Sequence, residues 1–295
     1  MNIAIIGAGE IGRALAHVFK KNAQIEFWDK DSSGLTDMKP LKEVVRHASV
    51  IFLCIPSWAI REVALQMKSF IDSSSVIVSL AKGIEQETFK TMDAVLGELF
   101  LEGQPVAVLG GPLLAEELLK DMPGVGIFAS KDSHAFDLAR PLFDGTHVRL
   151  EYVDDPRAVA LVSVFKNVYA VALGIAEGLC WGWNAKGWLA SRAMEEMRDI
   201  VVSVGSDSRI ASGPAGAGDF LATAMSPDSR NRTTGIEIAR TGRCEVPSEG
   251  CRSLPHVIAL LGSKKVYCPI LTALDQIINK HEEPKTIFQN LFTSP

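Results

Sequence analysis

The stretch of sequence that decides the fold is residues 2–12, NIAIIGAGEIG. Residues 2–6 are apolar and stop at a glycine, which predicts a short buried strand, and the chain from Glu10 onward has apolar side chains at helical spacing. The GxGxxG pattern at 7–12 joins the two, because its glycines permit a tight turn, a close approach of the backbone to a pyrophosphate and close packing of helix on strand. The N-terminus of the helix supplies N–H donors and a positive dipole. We interpret this turn as a dinucleotide-binding site formed by Gly7, Ala8, Gly9, Glu10, Ile11 and Gly12, with an ordinary strand-to-helix turn as the alternative.

An acidic residue stands where a dinucleotide site needs one. Asp29 follows the predicted strand 24–28 and lies 22 positions after Gly7. A carboxylate at the end of the second strand accepts hydrogen bonds from an adenosine 2′-OH and repels a 2′-phosphate. The sequence therefore predicts NAD in preference to NADP, although the adjacent Lys30 weakens that preference.

The first half of the chain alternates apolar runs with helical patterns. The predicted strands are 2–6, 24–28, 50–55, 75–80, 106–109, 124–129 and 148–152. The predicted helices are 10–22, 58–70, 88–100 and 134–143. Continuous apolar strands separated by helices predict a parallel sheet covered on both faces, which is a doubly wound α/β domain of the Rossmann type over residues 1–152.

Two loops of this domain follow predicted strands, where such sheets bind their ligands. Pro56 comes after the third strand and Lys82 after the fourth. A lone cation followed by Gly83 at this position favours a role in substrate binding. A solvated surface lysine is the alternative.

The rhythm of the sequence changes after about Val153. Helical patterns cover 156–177, 186–204, 218–225, 252–261, 270–279 and 284–291. Since we find no clear strand pattern here, residues 153–295 are predicted to form an all-α second domain.

The composition describes a folded protein that is neither strongly basic nor membrane-spanning. The 295 residues are 47% hydrophobic and 22% charged with a net charge of −5, which disfavours a nucleic-acid-binding protein. The most apolar run, 159–175, has Lys166 and Asn167 at its centre and so indicates a buried helix. The N-terminus lacks the basic start of a signal peptide, and the five scattered cysteines have no CxxC spacing. We therefore expect a cytoplasmic protein without disulfides or a bound metal.

The lysine within that apolar helix is a candidate acid/base. An unpaired buried ammonium is costly, so Lys166 must reach an edge, find a carboxylate or lower its pKa. A lysine held in this way can exchange protons near neutral pH. The alternative is that Lys166 extends its ammonium to the surface.

A glycine-rich segment and a basic segment follow in the second half. Asp219 comes at the end of the glycines, where it could pair with Lys166, and Thr223 lies one helical turn further on the same face. Residues 226–232, SPDSRNR, then offer two guanidinium groups and an amide, which suit the oxygens of a phosphate. The alternative is a basic loop with a helix cap.

These residues together resemble the bacterial type of NAD-dependent glycerol-3-phosphate dehydrogenase. The matching stretches are GAGEIGRALA (7–16), AKGIE (81–85), GGP-x-x-AEE (110–117), FKNVYAVALGIAEGL (165–179), GWN (182–184), GAGDFLATAMSPDSRNR (216–232), EG (249–250) and CPI (268–270). They occur in the family's order over nearly the whole chain. The glycine turn is shared with many dehydrogenases, whereas the blocks around Lys166 and SRNR are specific.

The resemblance implies a role for each matching residue. Lys166 would be the general acid/base at the C2 oxygen, supported by Asp219, and Lys82 would position the substrate beside the nicotinamide. Asn167, Thr223, Arg230 and Asn231 would hold the phosphate and orient the substrate. The resemblance also places Pro56, Lys82, Ala115, Arg230 and Glu249 at the cofactor, and it implies a homodimer.

The chain departs from the family pattern in three places. Leu113 and Leu114 stand where the family has Ser or Thr followed by Phe, which removes a polar contact near the substrate. The segment 30–49 is short, and 154–160 lacks a Gly-x-Glu.

Two other functions stay open, the first of them because of Leu113 and Leu114. The first is a related dehydrogenase for another small phosphorylated or carboxylated hydroxy compound. The second is a non-catalytic NAD(H) sensor, although a sensor would have no need of Lys166 and Asp219.

Overall fold

The computed structural model of the protein describes residues 1–31, 39–100, 103–245, 248–262 and 266–293. The chain separates into two compact units, one made of Met1–Glu85 and Lys90–Ala160, the other of Gln86–Phe89 and Leu161–Pro295. We predict a boundary near Val153 from the sequence, whereas residues 153–160 group with the first unit.

The first unit alternates strands and helices as the sequence predicts. Its elements are β1 (Asn2–Ile6), α1 (Glu10–Phe19), β2 (Gln24–Trp28), α2 (Leu41–Val45), β3 (Val50–Leu53), α3 (Ser57–Met67), β4 (Val76–Ser79), α4 (Met92–Leu99), β5 (Val106–Gly110), α5 (Ala115–Leu118), β6 (Gly124–Ala129), α6 (Ser133–Ala139) and β7 (Val148–Val153). Short 3-10 turns, Lys68–Phe70 and Arg140–Phe143, follow α3 and α6. The sequence does not predict α2 and α5, because five and four residues are too few to display a helical period.

Seven strands of the described chain form one sheet in the order β2-β1-β3-β4-β5-β6-β7. The strands from β2 to β5 in that order pair in parallel, so the doubly wound fold class is confirmed. The sheet differs from an all-parallel one at its end, where Leu109 of β5 faces Phe128 of β6 in an antiparallel pair. The helix between these strands is a single turn, too short to carry the chain back along the sheet for a parallel crossover.

Both faces of the sheet are buried, which explains the continuous apolar runs. Successive side chains of a strand point to opposite faces. Accordingly, Ile3 and Ile5 of β1 belong to a cluster that includes α1 and α6, whereas Ala4 and Ile6 belong to one that includes α2, α3 and α4. Gly7, which follows β1, thus lies at the carboxyl ends of the strands of a sheet that helices cover on both faces.

The described residues after β7 form helices and the turns between them. The helices are α7 (Pro156–Gly178), α8 (Trp183–Ser203), α9 (Ser208–Ser212), α10 (Asp219–Met225), α11 (Arg230–Thr241), α12 (Glu249–Leu261), α13 (Pro269–Ile278) and α14 (Pro284–Thr293). A π-helical turn, Pro214–Gly218, leads into α10. The described residues beyond Val153 contain no strand, which confirms the all-α prediction.

Two helices of this region need a physical explanation. Among the described helices, α7 alone is long and apolar enough to cross a membrane, and 94% of its most apolar window is buried inside the protein. It is the buried helix that the sequence predicts. The sequence misses α11, because its buried residues Asn231, Thr234 and Gly235 are polar or small and Ile238 alone is apolar.

Candidate active site

The glycine turn has the geometry that its sequence predicts. Gly7 has φ +106°, which favours glycine, and its N–H donates to the Trp28 carbonyl over 2.7 Å. A Cβ on Gly7 would lie 2.5 Å from the Cys54 carbonyl oxygen, and a Cβ on Gly12 would lie 2.0 Å from the Gly7 carbonyl oxygen. The first and third glycines are therefore required by the close packing of β1, β3 and α1.

The second glycine faces open space. A Cβ on Gly9 would meet no protein atom within 4 Å, so glycine is not required here by packing within the described protein. Gly9 is the N-cap of α1, and Glu10 and Ile11 form its first turn, where backbone N–H groups point away from the helix. Open space at Gly9 fits a close approach of a dinucleotide's pyrophosphate to the backbone.

Asp29 lies beside this turn. One of its carboxylate oxygens accepts a hydrogen bond from the Ala8 N–H at 2.7 Å, and the other accepts one from the Asp31 N–H at 3.0 Å. The side chain is half-buried. Asp29, the residue predicted to bind the ribose, therefore also holds the glycine turn to the end of β2.

The remaining predicted residues of the first unit lie in three loops. Pro56 is exposed at the start of α3, and Ala115 is the half-buried first residue of α5. Lys82 is half-buried, and its Nζ lies 3.5 Å from the carbonyl oxygen of Gly111. Gly111 has φ +102°, and a Cβ on it would lie 2.5 Å from the Val125 carbonyl oxygen, so this partner is held in place by β6.

Lys166 lies in a buried ion pair. Its Nζ is 3.1 Å from Asp219 Oδ1 and 2.6 Å from Thr223 Oγ1. The three residues are only 5%, 1% and 5% exposed. Of the fates open to a lysine in an apolar helix, the structure has the paired one. Asp219 and Thr223 can meet Lys166 together because they are one turn apart on α10.

A chain of buried amides begins at the next residue of α7. The Asn231 side chain donates to Asn167 Oδ1 at 3.0 Å, and the Gly250 N–H donates to Asn231 Oδ1 at 2.9 Å. Both asparagines are at least nine-tenths buried. Consecutive residues of α7 thus present a charged amine and a fixed amide, which is an arrangement able to exchange a proton and to orient a polar substrate.

Three glycines that no sequence motif marks as functional make this arrangement possible. A Cβ on Gly235 would lie 2.2 Å from the Val171 carbonyl oxygen, and one on Gly174 would lie 2.2 Å from the Arg232 carbonyl oxygen. A Cβ on Gly250 would lie 2.4 Å from the Asn167 carbonyl oxygen. They let α11 and α12 approach the backbone of α7, which brings Asn231 within reach of Asn167. Of the three, only Gly174 lies inside a helical pattern that the sequence displays, which is the one signal available.

The two guanidinium groups of the basic segment have different partners. Arg232 forms an ion pair with Glu177 of α7, with its Nε 2.9 Å from Oε2. Arg230 is exposed at the start of α11 and lies close enough to Glu249 to affect its pKa. Partial desolvation raises the pKa of Glu249, and Arg252 and Arg230 oppose that rise. Arg230 is thus the exposed guanidinium of the two, whereas Arg232 anchors α11 to α7.

A second buried carboxylate in this unit was also missed. Glu196 of α8 accepts hydrogen bonds from the Tyr169 hydroxyl at 2.9 Å and from the Ile270 N–H at 2.7 Å. Burial raises the pKa of Glu196 to about 7, and these hydrogen bonds oppose the rise. Because Tyr169 is three residues after Lys166 on α7, this network supports the helix that carries the ion pair.

The structure also accounts for two departures from the family pattern. Leu113 is buried in the core, where its methyl groups occupy the space above Gly124 and Gly126, so its side chain contributes to packing. Asp155 accepts a hydrogen bond from the Ala158 N–H at 3.0 Å and so caps the start of α7. The third departure, the short segment 30–49, includes residues 32–38, which lie outside the described residues.

Two models of known protein families match this chain, one on each side of the predicted boundary near Val153. A family model for the N-terminus of NAD-dependent glycerol-3-phosphate dehydrogenase matches residues 32–136, and one for the C-terminus matches residues 155–289. The described residues contain no group of three or more His, Cys, Asp or Glu that could hold a metal ion.

Individual relatives cover nearly the full length. A glycerol-3-phosphate dehydrogenase [NAD(P)+] of Clostridium acetobutylicum is 31% identical over 96% of this chain and 94% of its own. A Thermoanaerobacter protein of the same name is 30% identical over 99% of this chain and 97% of its own. The crystal structure of glycerol-3-phosphate dehydrogenase from Coxiella burnetii has a TM-score of 0.90 and 28% identity, and the match covers 99% of this chain and 98% of that one.

Proposed function

Because the chain belongs to the NAD-dependent glycerol-3-phosphate dehydrogenase family, we propose that it interconverts sn-glycerol 3-phosphate and dihydroxyacetone phosphate with NAD(H). The observation that carries this proposal is the buried Lys166–Asp219–Thr223 group next to the Asn167–Asn231 amide pair. A proton donor beside a fixed amide is what reduction of a small ketone requires. The open space at Gly9 supports a dinucleotide as the redox partner.

Lys166 is the proton donor and acceptor of this reaction. When bound, the nicotinamide ring supplies or accepts the hydride at the substrate C2. The Lys166 ammonium donates a proton to the C2 oxygen as the ketone is reduced, and the neutral amine takes the proton back in the oxidation. Asp219 stabilises the charged amine, and Thr223 fixes its direction.

The substrate is held by polar groups at the start of α11. Arg230 attracts the phosphate with an exposed guanidinium, whose fork matches phosphate oxygens. Asn167 and Asn231 are fixed to each other and to the Gly250 amide, so they orient the substrate without reorganising. For Lys82, the family resemblance supports a role in binding the substrate beside the nicotinamide.

We propose NAD over NADP as the cofactor. The Asp29 carboxylate beside the Ala8 amide adds negative charge near the adenosine ribose, and a 2′-phosphate would be repelled there. Replacement of Asp29 by Asn should improve kcat/KM for NADPH relative to NADH by about tenfold. An unchanged ratio would contradict this role.

A substrate panel tests the reaction itself. Purified protein should oxidise NADH with dihydroxyacetone phosphate at a kcat/KM at least about 100-fold above that for dihydroxyacetone, which lacks the phosphate. Hydroxypyruvate, which carries a carboxylate, should be similarly poor. A preference for hydroxypyruvate or another ketone would replace this function by a related dehydrogenase. Tight NADH binding with no turnover of any ketone would indicate a sensor.

We also propose a cytoplasmic homodimer. The family resemblance and the high apolar fraction of the chain support the dimer. Light scattering during size-exclusion chromatography should give twice the 31.9 kDa mass of one chain, and a mass of one chain would contradict it.

A further inference from the structure

The loop that carries Lys82 is held firmly at both ends. It leaves β4 after Ser79, whose hydroxyl accepts a hydrogen bond from the Ala81 N–H at 3.2 Å. Further along, the Glu85 N–H donates to the Lys90 carbonyl oxygen at 2.9 Å, which closes the loop before α4. Lys82 lies between these two attachments.

Arg61, which lies outside the loop, binds the side chain of Glu85 at the second of these attachments. This residue of α3 donates from Nε to Glu85 Oε1 at 2.7 Å and from Nη2 to Glu85 Oε2 at 2.9 Å. Two parallel bonds between a guanidinium and a carboxylate fix both the distance and the relative plane of the groups. The Glu85 side chain is only 11% exposed and the Arg61 side chain 26%, so the pair is largely shielded from water.

The other partners of Arg61 are weaker. Its Nη1 and Nη2 lie 3.3 Å from the Glu98 carboxylate, whose side chain is 45% exposed. Glu98 also pairs with the exposed Lys90. Exposed pairs of this kind contribute little. The bidentate pair with Glu85 is therefore the most enclosed side-chain contact that Arg61 makes with the loop.

We propose that Arg61 is a positioning residue for Lys82, acting through its bidentate pair with Glu85. This inference rests on the proposed function, because it assigns Lys82 to the substrate. A lysine side chain has four rotatable bonds and reaches its target only from a fixed backbone, and a displacement of about 1 Å can cost ~100-fold in rate. The Glu85–Arg61 pair supplies that fixed backbone three residues after Lys82.

Substitution of Arg61 with chemical rescue tests the proposal. Arg61→Ala should lower kcat/KM for dihydroxyacetone phosphate by roughly 10- to 100-fold and leave the Kd for NADH unchanged. Added guanidinium ion at low concentration should fill the vacated space beside Glu85 and restore part of the activity. A purely structural loss would respond in the opposite way, because guanidinium destabilises folded proteins.

Further variants keep the test decisive. Arg61→Lys retains the charge without the fork, should fold if Arg61→Ala does not, and should also lose at least about tenfold in kcat/KM. Arg149→Ala is the matched control: it removes a 76% exposed arginine of β7 in the same unit and should neither lose activity nor respond to guanidinium. Activity of both Arg61 variants within about twofold of wild type, or a loss without rescue that follows the fraction unfolded, would overturn the proposal.

Lys82→Ala separates this inference from the function on which it rests. If Lys82→Ala retains full activity, the proposed role of Lys82 is wrong. If Lys82→Ala loses activity and the Arg61 variants do not, the role of Lys82 stands and the positioning role of Arg61 is wrong.

Discussion

Lys166 carries a charge that the protein interior tolerates only because its partners satisfy it. Lys166 is 5% exposed, and its ammonium has a carboxylate at 3.1 Å and a hydroxyl at 2.6 Å. Removing one partner of such a pair costs about 3–5 kcal/mol, because the other charge is left buried and uncompensated. The same enclosure that makes the pair costly keeps the ammonium in one place.

Lys166→Met should abolish most of the catalysis. Methionine keeps the apolar stem but has no proton to exchange, so kcat should fall by at least ~100-fold, while the Kd for NADH stays within about twofold. Steady-state kinetics and NADH fluorescence titration measure the two quantities. Because the variant is expected to be less stable, both should be measured where circular dichroism shows it folded. Turnover close to wild type would contradict the acid/base role.

Arg230 and Arg232 provide a matched pair at the start of one helix. Arg230→Ala removes a guanidinium proposed to bind phosphate, so KM for dihydroxyacetone phosphate should rise about 10- to 100-fold with kcat little changed. Arg232→Ala breaks the pair with Glu177 and should lower the unfolding free energy by roughly 1 kcal/mol, with a smaller effect on KM. Equal changes in KM would remove the distinction between ligand binding and anchoring.

At the scale of elements, the site depends on how closely α11 and α12 approach α7. The contacts at Gly174, Gly235 and Gly250 are backbone to backbone, with no space for a side chain. In an ordinary helix pair, interdigitated side chains keep the two helix axes about 8–10 Å apart. The glycines remove that separation, and the short side chains of Asn167 and Asn231 can then meet.

Gly235→Ala should therefore destabilise the protein although alanine favours helices. Its Cβ would lie 2.2 Å from a backbone oxygen, so α11 must shift, at a cost of about 1–3 kcal/mol, and KM for the substrate should rise. Gly187→Ala in α8 is the control, because its Cβ would meet nothing within 4 Å; it should stabilise the protein by ~0.5–1 kcal/mol. Urea unfolding measures both, and opposite signs are the expected result.

At the scale of the whole molecule, a carboxylate within the helical unit makes stability depend on pH. Burial raises the pKa of Glu196 from 4.5 to about 7. Between about pH 4.5 and about pH 7, the folded state therefore retains a proton on Glu196 that the unfolded chain has released. The contribution of Glu196 is fully present below about pH 4.5 and is lost as the pH rises through about 7.

Glu196→Gln should remove this dependence. The shift corresponds to roughly 3 kcal/mol, so the unfolding free energy of wild type minus that of the variant should fall by about that amount between about pH 5 and about pH 8. Urea unfolding of both proteins at the two pH values measures it. Subtracting the variant cancels the carboxylates with lowered pKa values, such as Asp207. A difference that does not change with pH would contradict the raised pKa.

The sequence by itself determined the fold class and most of the residues that meet in the helical unit. Apolar runs ending at glycine reveal a buried sheet, because strands covered on both faces are apolar at every position. A lysine inside an apolar helix reveals the need for a partner, because an unpaired buried ammonium is costly. Each of these signals lies within a short stretch of residues, so it can be recognised in the sequence without the tertiary structure.

Only the tertiary structure decided which of these residues are enclosed by contacts and which are exposed. Arg230 and Arg232 are alike in sequence, but Arg232 is half-buried against Glu177 and Arg230 is exposed. The helix that carries them was missed, because its buried face is built from small and polar residues that have no apolar period. Leu113 fills the space left by two glycines of β6, and this contact cannot be predicted from the order of residues along the chain. Each of these outcomes depends on contacts between residues far apart in the chain, and such contacts exist only once the helices and strands have packed.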